Sequence, residues 1–411
     1  MNNYQHRKTT ATIKVFAEDK TPLQNQELTV SQKDHEFLFG SNGFEIVPYA
    51  NNELQESDKE RTEKYIDKFL DLFNFVTLPF YWERFEPEKG KPKTRELMNT
   101  AKWCKDHNLV IKGHPLSWHT LAPDWLLDMS NEEIMKTQIK RIHRDVKDFE
   151  GLIDMWDVIN EVVIMPIFDK YDNGLTRVCK ELGRINTIKT VFEAARSTNP
   201  KATFILNDFD VSPAYDILIE GCLEAGIEID IIGIQSHMHQ GYWGMEKLQS
   251  VLERFSRFDI PIHFSETTII SGDLMPTKYD DLNDYQVDKW PSTTEGEERQ
   301  ARQVKEFYST LFAHPMVTGI TWWDFLDGQW LNAPSGLIRE DCSAKPAYKE
   351  LHKLVKEEWW TKSTSLTTDN TGQVEFTGFR GEYELSFGDK NVKFTLEDSK
   401  DKENTDISIY L

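Results

Sequence analysis

Eight short β-rich apolar runs, each followed by a helical pattern, limit what this chain can become more than any other feature. They span 37–43, 73–80, 109–118, 153–161, 203–208, 229–238, 260–267 and 317–325. Strands that alternate with amphipathic helices pair in parallel, and the helices cover the sheet they cross. Between the runs, apolar residues recur at helical spacing, as in Ile66, Phe69, Leu70 and Phe73, in Leu248, Val251, Leu252 and Phe255, and in Ala301, Val304, Phe307, Tyr308 and Leu311. Eight such units predict an α/β chain whose sheet closes into a (β/α)₈ TIM barrel, with a last helix near 347–358. Such barrels take about 250 residues and exceed 400 with insertions. The 411 residues therefore read as one barrel with additions, not two or three equal domains.

The two ends read differently. Residues 9–33 suggest two strands around a Thr21-Pro22 turn, and Gln373-Val374-Glu375-Phe376 and Tyr383-Glu384-Leu385-Ser386-Phe387 alternate in the manner of strands. An isolated hairpin is marginal in water, so both ends are expected to join in one small β-rich accessory element. The expected boundaries are an accessory segment 1–35, a barrel 36–360 and an accessory segment 361–411.

With 48 Lys and Arg against 69 Asp and Glu, the net charge is −21. A nucleic-acid backbone and an anionic membrane would both repel such a chain, so neither is expected as a partner. Cys104, Cys179, Cys222 and Cys342 lie far apart without a C-x-x-C pair, which indicates neither a disulfide framework nor a zinc ribbon. Free thiols and an N-terminus without an apolar leader segment point to the cytoplasm, or to a secreted protein whose leader has been removed. Aromatic residues make up 12%, more than a core alone requires.

In a barrel of this kind the site is built at the C-terminal ends of the strands. Read in order, those ends carry Leu78-Pro79-Phe80-Tyr81-Trp82, Gly113-His114-Pro115-Leu116-Ser117-Trp118-His119, Trp156-Asp157-Val158-Ile159-Asn160-Glu161, Asn207-Asp208-Phe209-Asp210, Gln235-Ser236-His237-Met238-His239, His263-Phe264-Ser265-Glu266 and Thr321-Trp322-Trp323-Asp324. Carboxylates, amides, imidazoles and flat rings together suit a sugar: acids for the chemistry, polar groups for hydroxyls, rings for the apolar sugar faces. Glu161 and Glu266 both end strands, 105 residues apart, which at roughly 40 residues per unit puts them on the fourth and seventh strands. Two glutamates there can face each other across the mouth. A carboxyl separation of about 5–5.5 Å would suit a retaining glycosidase.

The ordered segments Gly113-His114…Trp118-His119, W-D-V-I-N-E at 156–161, Gln235-Ser236-His237, Glu266, and Trp323…Asp327…Trp330 with Lys345-Pro346-Ala347-Tyr348 resemble glycoside hydrolase family 10, the xylanase family, over about residues 37–355. The resemblance implies a retaining hydrolase of β-glycosidic bonds, xylan-type β-1,4 linkages by default, acting on a β-linked oligosaccharide or polysaccharide without a cofactor. Glu161 would be the acid/base and Glu266 the nucleophile. Asn160 would bond the 2-hydroxyl of the sugar cleaved, His237 would hold the nucleophile, and Gln235 would line the pocket. Trp118 and Trp323 would wall the subsite, with Trp330 covering it and His114 reaching a hydroxyl. His119 and Asn207 complete the expected binding set.

Three positions depart from that pattern. After the second strand the family carries an acidic, amide and lysine cluster, whereas residues 76–87 are two residues shorter and set Phe80, Tyr81 and Trp82 there. Phe80 or Tyr81 closing the cleft into a pocket would give exo-action, or activity on a glycan other than xylan. Thr268 stands where the family often has an aspartate two residues after the nucleophile, and Phe209 where it commonly has tyrosine.

Other readings are weaker. His237 and His239 alternate onto one strand face near His114, His119 and His263, a metal-like arrangement, but the glycosidase pattern claims His237, so no metal is expected. A sugar-binding protein without turnover would not need both carboxylates. G-x-S-x-G, phosphate-loop and dinucleotide motifs are missing from the sequence.

Overall fold

The computed structural model describes residues 4–398 and 405–411. Two terminal strands, β1 (Lys8–Phe16) and β2 (Glu27–Gln32), precede the eight barrel strands: β3 (Leu38–Asn42), β4 (Phe75–Pro79), β5 (Val110–His114), β6 (Met155–Asn160), β7 (Thr203–Asp208), β8 (Ile231–Met238), β9 (Ile262–Ile269) and β10 (Val317–Trp322). Five more follow: β11 (Thr364–Thr367), β12 (Gln373–Phe379), β13 (Gly381–Phe387), β14 (Lys390–Leu396) and β15 (Thr405–Tyr410). The strands β3 to β10 close in chain order into one barrel, parallel wherever their register is defined.

Each of the eight sequence runs holds one strand; five strands stop earlier than the run, and β9 continues two residues past it to Ile269. The third run extends to Trp118, yet its strand ends at His114, ahead of Pro115, which has no N–H for the ladder. The last run extends to Phe325 and its strand ends at Trp322, before Asp324 turns to φ +67°. Between strands the helices bury the apolar stripes read from the sequence; Glu56–Leu72 buries Tyr65, Ile66, Phe69 and Leu72, and Gly244–Ser256 buries Leu248, Val251, Leu252 and Phe255. Helix Asn131–Asp148 begins in a reciprocal Ser130/Glu133 capping box. One close approach requires glycine: a Cβ at Gly113 would lie 2.2 Å from the Trp156 ring, so the strand that delivers His114 sits tight against its neighbour.

Both termini contribute to a small β-sandwich. One sheet has the order β12-β1-β15 and the other β11-β2-β13-β14. Thus β1 and β2, the strands flanking the Thr21-Pro22 turn, join different sheets. Alternation explains this: Ala11, Ile13 and Val15 lie on one buried face, and they pack with Leu28, Val30, Tyr383, Leu385 and Leu396 from the facing sheet.

The chain divides into two compact units, one of 39–303 and 316–347, the other of residues up to 38 with 304–315 and 348–411. Residues 304–315 and 348–360 thus group with the sandwich, not with the barrel as the boundaries from sequence had them. Within that unit Phe312 stacks on Trp359 at 4.2 Å, and Arg7 donates to the carbonyls of Phe312 and His314. Among the described residues, no helix is long and apolar enough to cross a membrane.

Candidate active site

The C-terminal ends of β5 to β10 place most of the expected residues around one mouth. Glu161 follows β6 directly, its backbone in the left-handed region at φ +54°, with its N–H donating to Asn207 O at 2.9 Å. Its carboxylate accepts from Trp118 Nε1 (2.8 Å), Asn160 Nδ2 (3.2 Å) and Gln235 Nε2 (3.2 Å). Burial pushes this carboxyl up, and the Glu266 charge pushes it further, to about 8, against the lowering effect of the Trp118 bond.

Glu266 lies on β9, only 5% exposed. Asn207 Nδ2 donates to its Oε1 at 3.1 Å and to Asn160 Oδ1 at 2.8 Å, and Gln235 Nε2 donates to the same Asn160 oxygen at 3.0 Å. A continuous line of side-chain amides therefore joins the two carboxylates. The other oxygen, Oε2, meets His237 Nε2 at 3.2 Å.

A second imidazole stands behind the first. His237 Nδ1 lies 3.4 Å from the Thr268 hydroxyl. Thr268 Oγ1 in turn lies 3.3 Å from His239 Nδ1. Burial drives the His239 imidazole far below its ordinary range. Thr268 thus links the His237 and His239 rings behind Glu266.

Behind His114 lies a pair that sequence reading missed. Lys112 Nζ is 2.8 Å from Asp157 Oδ2, both side chains fully buried, and His114 Nδ1 donates to the same oxygen at 2.6 Å. Burial alone would raise the Asp157 carboxyl; Lys112 and His114 more than offset this, so it titrates below the ordinary range. The contact fixes the His114 ring with Nε2 3.8 Å from Glu266 Oε1. A lysine inside an otherwise apolar barrel strand was the available signal, since a buried ammonium needs a partner.

Rings form the walls. Tyr81 lies 5.6 Å from both His114 and Trp118, and Phe44 bridges Tyr81 (5.9 Å) and Trp323 (5.6 Å). Trp323 is 5.5 Å from His114, and Trp330 covers His237 at 4.8 Å.

Two expected residues lie elsewhere. Phe80 is fully buried against Phe85, Phe149 and Trp156 (5.2, 5.0 and 4.9 Å), so Tyr81 alone of that pair meets the site's rings. Its neighbour Trp82 packs on Trp125 and under the Arg141 guanidinium (4.8 Å) in a satellite core. The strand ends at Pro79, so alternation gives no guide to which of the next residues faces inward. His119 is also buried, 4.6 Å from Phe168, and burial pushes its imidazole down to about 4; it props a loop. Among the described residues no three His, Cys, Asp or Glu side chains converge as metal ligands.

Three comparisons with known proteins bear on the family and the fold. The model of glycosyl hydrolase family 10 matches residues 4–354. Among curated proteins the chain is similar to the anti-sigma-I factor RsgI6 of Acetivibrio thermocellus (23% identical, 92% of this chain, 45% of that protein). It also matches endo-1,4-beta-xylanase 2 of Arabidopsis thaliana (22%, 98% and 35%) and endo-1,4-beta-xylanase B of Thermotoga neapolitana (24%, 72% and 84%). The chain thus spans less than half the length of the first two relatives. Xylanase 10B from Thermotoga petrophila, solved with xylobiose, shares the fold at a TM-score of 0.63 and 21% identity, over 79% of this chain and 95% of that one.

Proposed function

We propose that this chain, which belongs to glycosyl hydrolase family 10, hydrolyses β-glycosidic bonds with retention of configuration. The observation that carries the reading is the difference in surroundings between the two glutamates. Glu161, held up at about 8, keeps its proton at neutral pH, while Glu266 faces donors from Asn207 and His237 that suit an anion.

In the first step the Glu266 carboxylate attacks the anomeric carbon as Glu161 gives its proton to the departing oxygen; the glycosidic bond breaks and an ester to Glu266 forms. Esterification removes the charge that raised Glu161, so its pKa falls and it becomes a base. Water then attacks the same carbon, Glu161 takes its proton, and Glu266 is released. Two inversions leave the configuration unchanged. Asn160 supplies a polar group between both carboxylates, where a 2-hydroxyl of the sugar would lie.

Several relatives are endo-1,4-beta-xylanases by name, so β-1,4-xylosyl linkages are the first substrates to test. Tyr81, packed between Phe44, Trp118 and His114 where the family carries polar groups, favours a narrowed glycone side and action near chain ends, or on a glycan other than xylan. The test is product analysis on a panel of β-linked oligosaccharides, with the first-formed anomer followed by NMR. First-formed β product is expected; first-formed α product would refute retention, and no turnover of any β-glycoside would refute the enzyme reading in favour of a sugar-binding protein.

A further inference from the structure

The segments that follow the two glutamate strands, 161–173 after β6 and 270–293 after β9, are joined by an ion pair that the chemistry above does not use. Lys170 Nζ lies 2.6 Å from Asp281 Oδ2 and 2.7 Å from Asp284 Oδ1. In the closed ring, β6 and β9 stand three strand positions apart, with β7 and β8 between them. Three steps around a ring of eight is most of a half-turn, and the segment after β9 also packs on the loop after β8, where Met275 N–H donates to His239 O and Gln240 Nε2 to Tyr279 O.

Both ends of the pair are anchored to the site. On one side Phe168 packs on His119 (4.6 Å), next to the Trp118 that donates to Glu161. On the other, Asn283 Oδ1, between the two aspartates, accepts from Trp330 Nε1 at 3.2 Å, and Trp330 covers the His237 that meets Glu266. The segment 270–293 packs Ile270, Met275 and Trp290 with Ala333 of the loop after β10, and Tyr279, Leu282 and Tyr285 lie on that cluster, so the aspartates are presented on a folded platform. Side-chain contacts thus lead from Glu161 to Phe168 and from Lys170 to Glu266, with the backbone of 168–170 joining the two.

We propose that Lys170, Asp281 and Asp284 form a clasp across the mouth that sets substrate length, admitting short β-linked oligosaccharides and chain ends while excluding the interior of a polymer. In this proposal the pair stands between the ends of β7 and β8 and the glycone walls at Tyr81 and Trp323, and a bound chain extending both ways passes beneath it. A short substrate does not. Because Lys170, Asp281 and Asp284 are all partly exposed, the clasp is weakened by salt. The inference rests on the glycosidase reading for its substrate and on the ion pair for its geometry.

Two measurements separate these supports. Hydrogen exchange on the whole protein reads the clasp without any turnover. Lys170→Glu should speed exchange in both 165–171 and 281–285 by at least tenfold, Lys170→Arg should leave it near wild type, and 1 M NaCl should move wild type towards Lys170→Glu. Unchanged exchange in Lys170→Glu would overturn the clasp whatever the enzyme hydrolyses. The second measurement is the ratio of kcat/KM on soluble xylan to that on an aryl β-xylobioside. Lys170→Glu should raise it at least fivefold with the aryl substrate within twofold of wild type, and Lys170→Arg should restore the wild-type ratio. An unchanged ratio would overturn the length-selecting role. Should wild type turn over neither substrate, the glycosidase reading loses its support on xylose-based substrates, and retention of each variant in a xylan-containing gel takes the place of the ratio; equal retention of wild type and Lys170→Glu would then overturn the role.

Discussion

The interior of the terminal sandwich and the mouth of the barrel are both buried, with opposite contents. In the sandwich, Ala11, Ile13 and Val15 meet Leu28, Val30, Leu385, Phe394 and Leu396, and the Tyr383 hydroxyl is satisfied by the Phe379 carbonyl. At the mouth, Lys112, Asp157, His114, Asn160, Asn207, Gln235 and Glu266 are buried together. Apolar burial stabilises at about 25 cal/mol per Å², whereas buried ionisable groups cost stability unless each is paired. The contrast teaches that substitutions in the two places should fail differently: at the mouth activity goes and the fold stays, in the sandwich the reverse.

The sharpest way to break that contrast is Glu266→Ala, expected to lower kcat roughly 10⁴-fold while circular dichroism and the thermal midpoint stay at or above wild type. A collapse of both together would show that the mouth is structural. Next comes Glu161→Gln, expected to cost about 10²–10⁴-fold on substrates with poor leaving groups and much less on activated aryl glycosides, which need no proton. Its thermal midpoint at pH 7 should rise. The folded pKa, about 8, lies above the unfolded value, so stability falls as pH climbs from the unfolded pKa towards the folded one, and glutamine avoids that loss. In the sandwich, Leu385→Ala should lower stability by about 2–5 kcal/mol in denaturant titrations, with kcat/KM at 25 °C within twofold of wild type.

The pH profile refines the mouth side of the comparison. The first step needs protonated Glu161, so kcat/KM should decline tenfold per unit above about pH 8. Carbon-13 NMR titration of Glu161 in Glu266→Gln should give a lower pKa, because the second-largest cause of its elevation is then gone. The smallest effect separates two neighbours: Phe80→Leu should cost about 1 kcal/mol of stability and leave KM alone, whereas Tyr81→Phe should leave stability alone and shift KM.

Much of the molecule was legible because its signals are local. The alternation of runs and helical stripes foretold a closed barrel, and 203–208 is a strand over those same residues. Glu161, Asn160, Gln235, His237 and Glu266 could be placed together because each lies in the C-terminal half of a strand or follows one, and those halves converge by construction. What escaped depends on which way a side chain turns once a strand has stopped. Phe80 and Tyr81 are adjacent, and only packing decides that the first goes into the core. Asp157 was visible inside its motif, but its partnership with Lys112 spans two strands and needs their register, in which Lys112 pairs with Met155. The Lys170 clasp joins segments over a hundred residues apart, which charge spacing along a chain does not reveal.

The left-handed backbone at Glu161 has a consequence for the history and engineering of such a chain. A glutamate with φ near +54° occupies a conformation that costs an L-residue with a bulky side chain about 1 kcal/mol and that glycine or asparagine adopts readily. Position 161 is therefore occupied by a residue its backbone would not choose. A library of variants screened for heat resistance alone should drift there towards glycine or asparagine, becoming hardier and silent at once.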